Sequence, residues 1–272
     1  MAILPLNELV LRAGSVADDL GFVALADVAT AFAGTEALVI GGHMVQLHVY
    51  RWGLGADLYR QTQDADLGVA RIDAKDPALT ERLKALGYQR TGGNRFERAV
   101  ADIPITAPVG DARCAVVEVL VPAYTSRPRD TLKLGDHLTT TEVPGLADAL
   151  KRPAVSCNLR LTRLNGQVLS THVTLPDEVS AFVLKVMSWQ HRLAQRDAVD
   201  LWRGAEVLVA AGLNLSGLSE KSASSVQQAL ASVSNRRGLL VESIVKARGF
   251  SEQAGDRLHT RLCALAARLT ES

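Results

Sequence analysis

Two aspartates separated by one residue are the first candidate for a functional group in this sequence. Asp64 and Asp66 begin a short run that is typical of a β-strand. Side chains alternate along a strand, so both carboxylates face the same side of a sheet, where they could share a magnesium ion. The chain holds 29 acidic residues among 272, so a solvated turn is the simpler interpretation of the pair taken alone.

A third carboxylate lies far along the chain. Glu118 is the polar member of residues 115–121 (AVVEVLV), the most strand-like run in the sequence. A buried carboxylate is costly unless it meets a cation or a hydrogen-bond donor. If this strand neighbours that of Asp66, the three acids converge. The alternative is a structural ion pair between Glu118 and an arginine.

Two glycines precede the aspartates. Gly41 and Gly42 follow the apolar run 37–40, which predicts a buried strand, and precede residues 43–50, which could form a helix. Such a turn lets backbone amides approach a phosphate, and the N-terminus of a helix favours negative charge. A glycine pair alone is more often only a turn. Its position ahead of the aspartates favours a phosphate-binding role.

Charged residues recur after residue 184. On one continuous helix, four of them would fall within roughly 80° of one another, and these are Lys185, Arg192, Arg196 and Asp200. A solvated ladder of salt bridges is the usual explanation of such a stripe. Lys185, however, lies in a very apolar setting (AFVLKVM), which indicates a specific anionic partner.

The amino-acid composition excludes several classes of protein. Thirty cationic side chains balance 29 acidic ones. A dedicated nucleic-acid binder has a strongly basic domain, so nucleic acid would meet only a local basic patch on this protein.

The sequence has 47% hydrophobic and 22% charged residues, which is ordinary for a globular protein. No window reaches the roughly 18 apolar residues of a membrane helix. We therefore expect a cytoplasmic protein with no membrane partner. Three scattered cysteines exclude a disulfide framework.

The pattern of elements predicts an α+β fold in two domains, 1–175 and 176–272. Residues 5–33 predict one or two helices ahead of the core, 76–86 a further helix, and 88–98 a hairpin. Asn165-Gly166 joins two apolar runs and is the strongest hairpin signal in the chain. The segments after Pro176 are wholly helical: 177–195, 197–212, 223–234, 237–248 and 251–269.

Three segments together resemble a known family: ALVIGGHMVQLHVYR, RQTQDADLGV and FVLKVMSWQHRLAQRDAVDLW. They are similar to the AbiEii toxin nucleotidyltransferases, which include the MenT toxins and belong to the polymerase-beta-like superfamily. The resemblance spans residues 35–205. It implies a nucleotidyltransferase-like mixed sheet flanked by helices, followed by a C-terminal helical bundle. The matching positions are Gly41, Gly42, His48, Arg51, Arg60, Thr62, Asp64, Asp66, Lys185, Arg192, Arg196, Asp197 and Asp200.

The resemblance implies in-line attack of an RNA hydroxyl on the α-phosphate of a nucleoside triphosphate, with release of pyrophosphate. Asp64 and Asp66 would hold Mg²⁺ or Mn²⁺ as metal ligands, and Glu118 would help to hold one metal ion or polarise the hydroxyl. Lys185 would neutralise the triphosphate, and Asp200 would orient Lys185 or assist proton removal. The nucleotide-binding set is Gly41, Gly42, His43, Thr62 and Lys185.

The same resemblance implies tRNA as the acceptor, modified at its 3′ end so that aminoacylation is blocked, and a cognate antitoxin as a partner. Four arginines would line the RNA-binding cleft: Arg51, Arg60, Arg192 and Arg196. Two positions depart from the family. Gly42 replaces a serine, so backbone amides must bind phosphate without that hydroxyl, and Glu118 replaces an aspartate.

Two other functions are open at this point. The same fold could be a non-catalytic module that binds nucleotide and sequesters RNA or a protein, since a fold does not fix a function. It could also be a nucleotidyltransferase that modifies a protein or a small molecule.

Overall fold

The structure, a computed structural model, describes residues 7–103, 113–125 and 127–270 and is a mixed α+β structure. Its strands are β1 (Glu8–Arg12), β2 (Leu38–Ile40), β3 (Asp64–Gly68), β4 (Gln89–Arg90), β5 (Arg95–Ala99), β6 (Cys114–Pro122), β7 (Leu132–Leu134), β8 (Leu138–Val143), β9 (Val155–Thr162) and β10 (Val168–Leu175). Its helices are α1 (Val16–Ala31), α2 (Gly41–Arg51), α3 (Arg71–Ala74), α4 (Pro77–Ala85), α5 (Leu146–Ala149), α6 (Glu178–Arg192), α7 (Gln195–Ala211), α8 (Glu220–Ser232), α9 (Leu239–Arg248) and α10 (Glu252–Thr270).

The larger sheet is built around β6. On one edge β6 pairs in parallel with β3, which in turn pairs antiparallel with β2. On its other edge the first half of β6 pairs with β5 and its end pairs with β8. In this register Glu118 lies opposite Asp66, and Asp66 lies opposite Ile40, the residue before the glycine turn. The sheet therefore aligns the two acidic strands next to that turn.

Local sequence signals account for much of this architecture. The continuous apolar run of β6 is buried along most of its length, as expected of a central strand. The Asp76 side chain accepts a hydrogen bond from the backbone of Ala78 and so caps α4, whose first residue is Pro77. Gly166 adopts φ +85° in the turn between β9 and β10, which confirms the predicted hairpin.

The helical prediction for residues 5–33 is wrong at its start. Glu8–Arg12 forms β1, which pairs in parallel with β9, and these two strands form the smaller sheet with β10. A helix, α1, begins only at Val16, where the Ser15 side chain accepts a hydrogen bond from the backbone of Asp18. The side chains of β1 alternate between exposed and buried, and their partner strand is remote in the chain, so a local pattern could not reveal the pairing.

The charged stripe is not carried by one helix. Leu193 adopts φ 52° and ends α6, so Lys185 and Arg192 lie on α6 whereas Arg196 and Asp200 lie on α7. The two helices pack against each other. The convergence of these side chains is therefore a result of helix packing and not of helical periodicity.

The chain changes from strands to helices where β10 ends at Leu175. The hydrophobic core nevertheless continues across this point, because Met44 of α2 belongs to the same buried cluster as Phe182 of α6 and Trp202 of α7. Helices α6 and α7 thus pack directly onto α2, the helix that begins at Gly41. Within the described ranges, no helix combines the length and the apolar character needed to cross a membrane.

Candidate functional site

A cleft of about 410 Å³ lies between the larger sheet and helices α6 and α7. Its lining comes mainly from elements distant in sequence: the β2–α2 turn, the segment before β3, and β3, β5, β6, β8, α6 and α7. Eleven of the predicted site residues line it: Gly41, Gly42, Arg60, Thr62, Asp64, Asp66, Glu118, Lys185, Arg192, Arg196 and Asp200. The five predicted catalytic side chains therefore share one cleft.

The glycine turn is in direct contact with the aspartates. Gly41 begins α2 at φ +70°, where other residues are strained, and a Cβ atom on it would collide with Oδ2 of Asp66. A Cβ atom on Gly42 would collide with the Arg60 guanidinium and lie 2.8 Å from Oγ1 of Thr62. A serine at position 42 would thus displace both neighbours, which explains why this chain has glycine there.

The acidic cluster perturbs Asp66. Burial, together with the negative charges of Glu118 and Asp64, raises the pKa of Asp66 to about 7, although Lys185 and Arg192 act in the opposite direction. An elevated carboxyl pKa means that the negative form lacks sufficient cationic compensation. A cation placed among these carboxylates would therefore be bound favourably.

Glu118 also has an arginine partner. Arg95 lies opposite Glu118 in the β5–β6 register, and its Nη1 donates to Oε1 of Glu118 at 3.1 Å while its Nε donates to Glu97 at 2.7 Å. Burial opposes the charge on Arg95, but the hydrogen bonds and the nearby Asp64 charge outweigh it and raise the arginine pKa. The ion pair and the acidic cluster are thus parts of the same site, because Arg95 lines the cleft.

The donor set suits a divalent cation in chemistry but is not closed around one. Asp64, Asp66 and Glu118 supply carboxylate oxygens to one cleft, and these are the ligands that Mg²⁺ and Mn²⁺ prefer. Within the part of the chain that the structure describes, no three acidic, histidine or cysteine side chains are already arranged as a metal-binding group. Because Glu118 Oε1 accepts from Arg95, a metal ion would compete with this arginine for the carboxylate.

Asp200 is the buried centre of a cationic network. Its carboxylate is fully buried and accepts hydrogen bonds from Lys185 Nζ at 2.7 Å, Arg203 Nη1 at 2.8 Å and Arg60 Nε at 3.0 Å. Burial alone would raise the pKa of Asp200, but these three charges hold it far below its usual range. Such a carboxylate is a poor proton acceptor. Of its two predicted roles, the geometry favours orientation of Lys185.

The predicted RNA-binding arginines separate into two groups. Arg60, Arg192 and Arg196 line the cleft, and Arg192 donates to Asp197 on α7. Arg51 does not line it: its side chain is only 12% exposed and pairs with Glu178. This ion pair joins α2 to α6, so the position of Arg51 is that of a structural residue.

His43 also lies outside the cleft. Its side chain is buried and its Nε2 atom has no hydrogen-bond partner. Burial, with a smaller effect of the Arg60 charge, lowers the pKa of His43 to about 3. The imidazole is therefore neutral and supplies no positive charge to a triphosphate.

Two site residues were not found by sequence reasoning. Arg203 follows Asp200 by three residues, a spacing at which helical side chains meet, so this pair had a local signal. Arg95 had none, because its contact with Glu118 depends on the register between β5 and β6.

Comparison with known proteins adds no assignment. No protein-family model matches the chain, and no curated protein sequence matches it. The chemistry of the cleft is therefore the basis for a function.

Proposed function

We propose that this chain is a metal-dependent nucleotidyltransferase of the AbiEii type, with a nucleotidyltransferase-like sheet domain and a C-terminal helical bundle. It transfers a nucleoside monophosphate from a nucleoside triphosphate to RNA. The observation that carries the proposal is the parallel register that sets Asp66 opposite Glu118, with the Asp66 carboxylate against Gly41. Half-buried acids next to a glycine turn and a lysine suit phosphoryl chemistry better than a structural role.

The donor nucleotide binds on the glycine side of the cleft. The backbone amides at the start of α2 and the positive end of its dipole attract the triphosphate. Lys185, held by Asp200 at 2.7 Å, neutralises charge on the phosphates. Because Asp200 also holds Arg60, both cations are fixed before the nucleotide arrives.

The acceptor hydroxyl attacks the α-phosphorus in line. A bond forms between the hydroxyl oxygen and phosphorus as the bond to the β-phosphate oxygen breaks, pyrophosphate leaves, and the hydroxyl proton passes to solvent water. Asp64, Asp66 and Glu118 would hold Mg²⁺ or Mn²⁺, which supplies Lewis-acid stabilisation of the charged oxygens.

RNA is the proposed acceptor because three arginines lie at the cleft. Arg60, Arg192 and Arg196 can contact the phosphate backbone, and this local patch is compatible with the balanced charge of the whole chain. The 3′ end of tRNA as the acceptor, toxicity through blocked translation, and a cognate antitoxin follow from the sequence resemblance and are part of the same proposal.

Label transfer tests this function. The purified chain is incubated with Mg²⁺ and each of the four α-labelled nucleoside triphosphates, and label is measured separately in total RNA, protein and small molecules. We expect label in tRNA, and loss of both transfer and growth inhibition in Asp66→Ala. Asp136→Ala, at a side chain that is 98% exposed, is the matched control and should remain active. Full activity of Asp66→Ala would refute the catalytic role of Asp66. Label in protein and not in RNA would show that the acceptor is a protein.

A non-catalytic nucleotide-binding module is the second candidate. It is favoured by the Arg95–Glu118 ion pair, since a carboxylate held by arginine is less available to a metal ion. This candidate predicts triphosphate binding without turnover and growth inhibition that is insensitive to the aspartates.

A further inference from the structure

An exposed tyrosine lies just beyond the end of β6. Tyr124 is 61% exposed, and the guanidinium of Arg71 lies 4.6 Å from the centre of its ring. The arginine covers one face of the ring, and the exposure of the residue leaves the other open to solvent. Aromatic faces of this kind, backed by a cation, stack unpaired bases in proteins that bind single-stranded nucleic acid.

We propose that Tyr124 and Arg71 form a stacking platform for an unpaired base of the RNA acceptor. This inference rests on the proposed function and extends it, because it assigns a binding site for the acceptor outside the cleft that holds the carboxylates.

The arginine of the platform is held in place before any ligand binds. Arg71 donates through Nε to the carbonyl of Pro122 at 3.1 Å and pairs through Nη2 with the buried carboxylate of Glu142. Arg129 donates to the same carboxylate from its backbone and its side chain. An arginine held in this way loses little conformational freedom on binding.

The charges around the platform suit a polyanion. Arg71, which lies over the ring, and Arg129 both pair with the single carboxylate of Glu142, so this bonded group carries one net positive charge. Asp130 lies 3.5 Å from His191 of α6 at the rim of the cleft. Positive charge is thus in excess beside the aromatic face, as backbone phosphates require.

The position along the strands identifies which ligand the platform serves. β2 runs antiparallel to β3, so the glycine turn that follows it lies toward the start of β3, against Asp66. Tyr124 and Arg71 instead lie beyond the C-terminal ends of β6 and β3. In-line transfer places the attacking and leaving oxygens on opposite sides of the phosphorus. With the triphosphate at the glycine turn, the acceptor therefore enters from the C-terminal end of these strands, where the platform lies.

The distance from the acids indicates which part of the acceptor is bound. Pro122 lies four residue steps after Glu118 along the extended strand, a rise of about 13 Å. Tyr124 lies two residues farther on. The platform therefore contacts a base several nucleotides upstream of the reacting 3′ hydroxyl, within a single-stranded tail.

Equilibrium binding of a short fluorescent single-stranded RNA, measured by anisotropy without nucleotide, tests the platform. We expect Tyr124→Ala to weaken RNA binding about 5- to 100-fold through loss of base stacking. Tyr124→Phe retains the ring and should bind as the wild-type chain does, as should Val168→Ala, an exposed residue of the smaller sheet. The affinity for nucleoside triphosphate, measured by calorimetry, should be unchanged in all three variants.

Unchanged RNA binding by Tyr124→Ala, or a loss that falls on triphosphate affinity instead, would overturn the platform. If wild-type chain labels RNA but Tyr124→Ala binds RNA normally, the platform fails and the proposed function stands. If RNA binding depends on Tyr124 while no transfer occurs, the platform stands and the catalytic function fails. A wild-type chain that does not bind RNA contradicts both.

Discussion

Asp66→Asn should stabilise the folded chain at alkaline pH while it removes the proposed activity. The Asp66 carboxylate is crowded by Glu118 and Asp64, and burial together with these charges raises its pKa to about 7. In the unfolded chain an aspartate titrates near 3.8. The native state therefore holds a proton between these two values that the unfolded state has already released.

The sign and size of the effect follow from proton linkage. Because the native state binds more protons, the free energy of unfolding falls as pH rises from about 4 to about 7. Each pKa unit corresponds to about 1.36 kcal/mol, so the destabilisation above pH 7 is at most about 4 kcal/mol and about 2 kcal/mol if solvent relieves half of it. Asparagine carries no charge and removes this destabilisation at high pH, with a much smaller effect near pH 4.

Urea unfolding at pH 4.5 and pH 8, in the presence of a chelator, measures the effect. We expect the gain of Asp66→Asn over wild type to be larger at pH 8 by about 1 to 3 kcal/mol. Asp200→Asn is the matched control of opposite sign, since its carboxylate stabilises three buried or half-buried cations. If Asp66→Asn changes the free energy of unfolding equally at both pH values, the pKa of Asp66 is not raised in the native state. Burial and the charges of Glu118 and Asp64 would then not destabilise its ionised form.

Three further substitutions probe the same cleft. Arg95→Gln frees Glu118 and should tighten Mn²⁺ binding, measured by electron paramagnetic resonance, about two- to fivefold; weaker binding would contradict competition between arginine and metal. Gly41→Ala adds a Cβ that collides with Asp66 in a left-handed conformation, so it should lower the thermal midpoint by an amount equivalent to about 1–3 kcal/mol and abolish label transfer; an active, equally stable variant would exclude this packing. Asp200→Asn should cost about 3–5 kcal/mol in urea unfolding at pH 7; a neutral effect would mean that its cations are solvated.

Local signals in the sequence predicted many of the elements. The β6 run, the capped helix α4, the hairpin turn at Asn165-Gly166 and the helices after Pro176 each carry their own pattern within a few residues. The pairing of β1 with β9 could not be predicted in this way, because it joins segments far apart in the chain. The break between α6 and α7 was expected near residue 196 and lies at Leu193, a residue at positive φ that no glycine marks.

The residue types of the candidate site could be predicted from the sequence, but the contacts between distant segments could not. Residue type and spacing singled out Asp64, Asp66 and Glu118, since a carboxylate on an apolar strand requires a partner. Their alignment depends on strand register, which the sequence does not state. The competing partner Arg95 comes from a cross-strand contact, and Arg51 was assigned to RNA although it pairs with a buried acid.

Mn²⁺ titration is the decisive measurement of whether three carboxylates from two strands form one cation site. Binding is measured by electron paramagnetic resonance on the wild-type chain and on Asp64→Asn, Asp66→Asn and Glu118→Gln, without nucleotide or RNA. The proposal predicts saturable binding that each substitution weakens at least about tenfold, as expected when one oxygen ligand of three is lost. Wild-type affinity in Glu118→Gln, or no saturable binding by the wild-type chain, would contradict it.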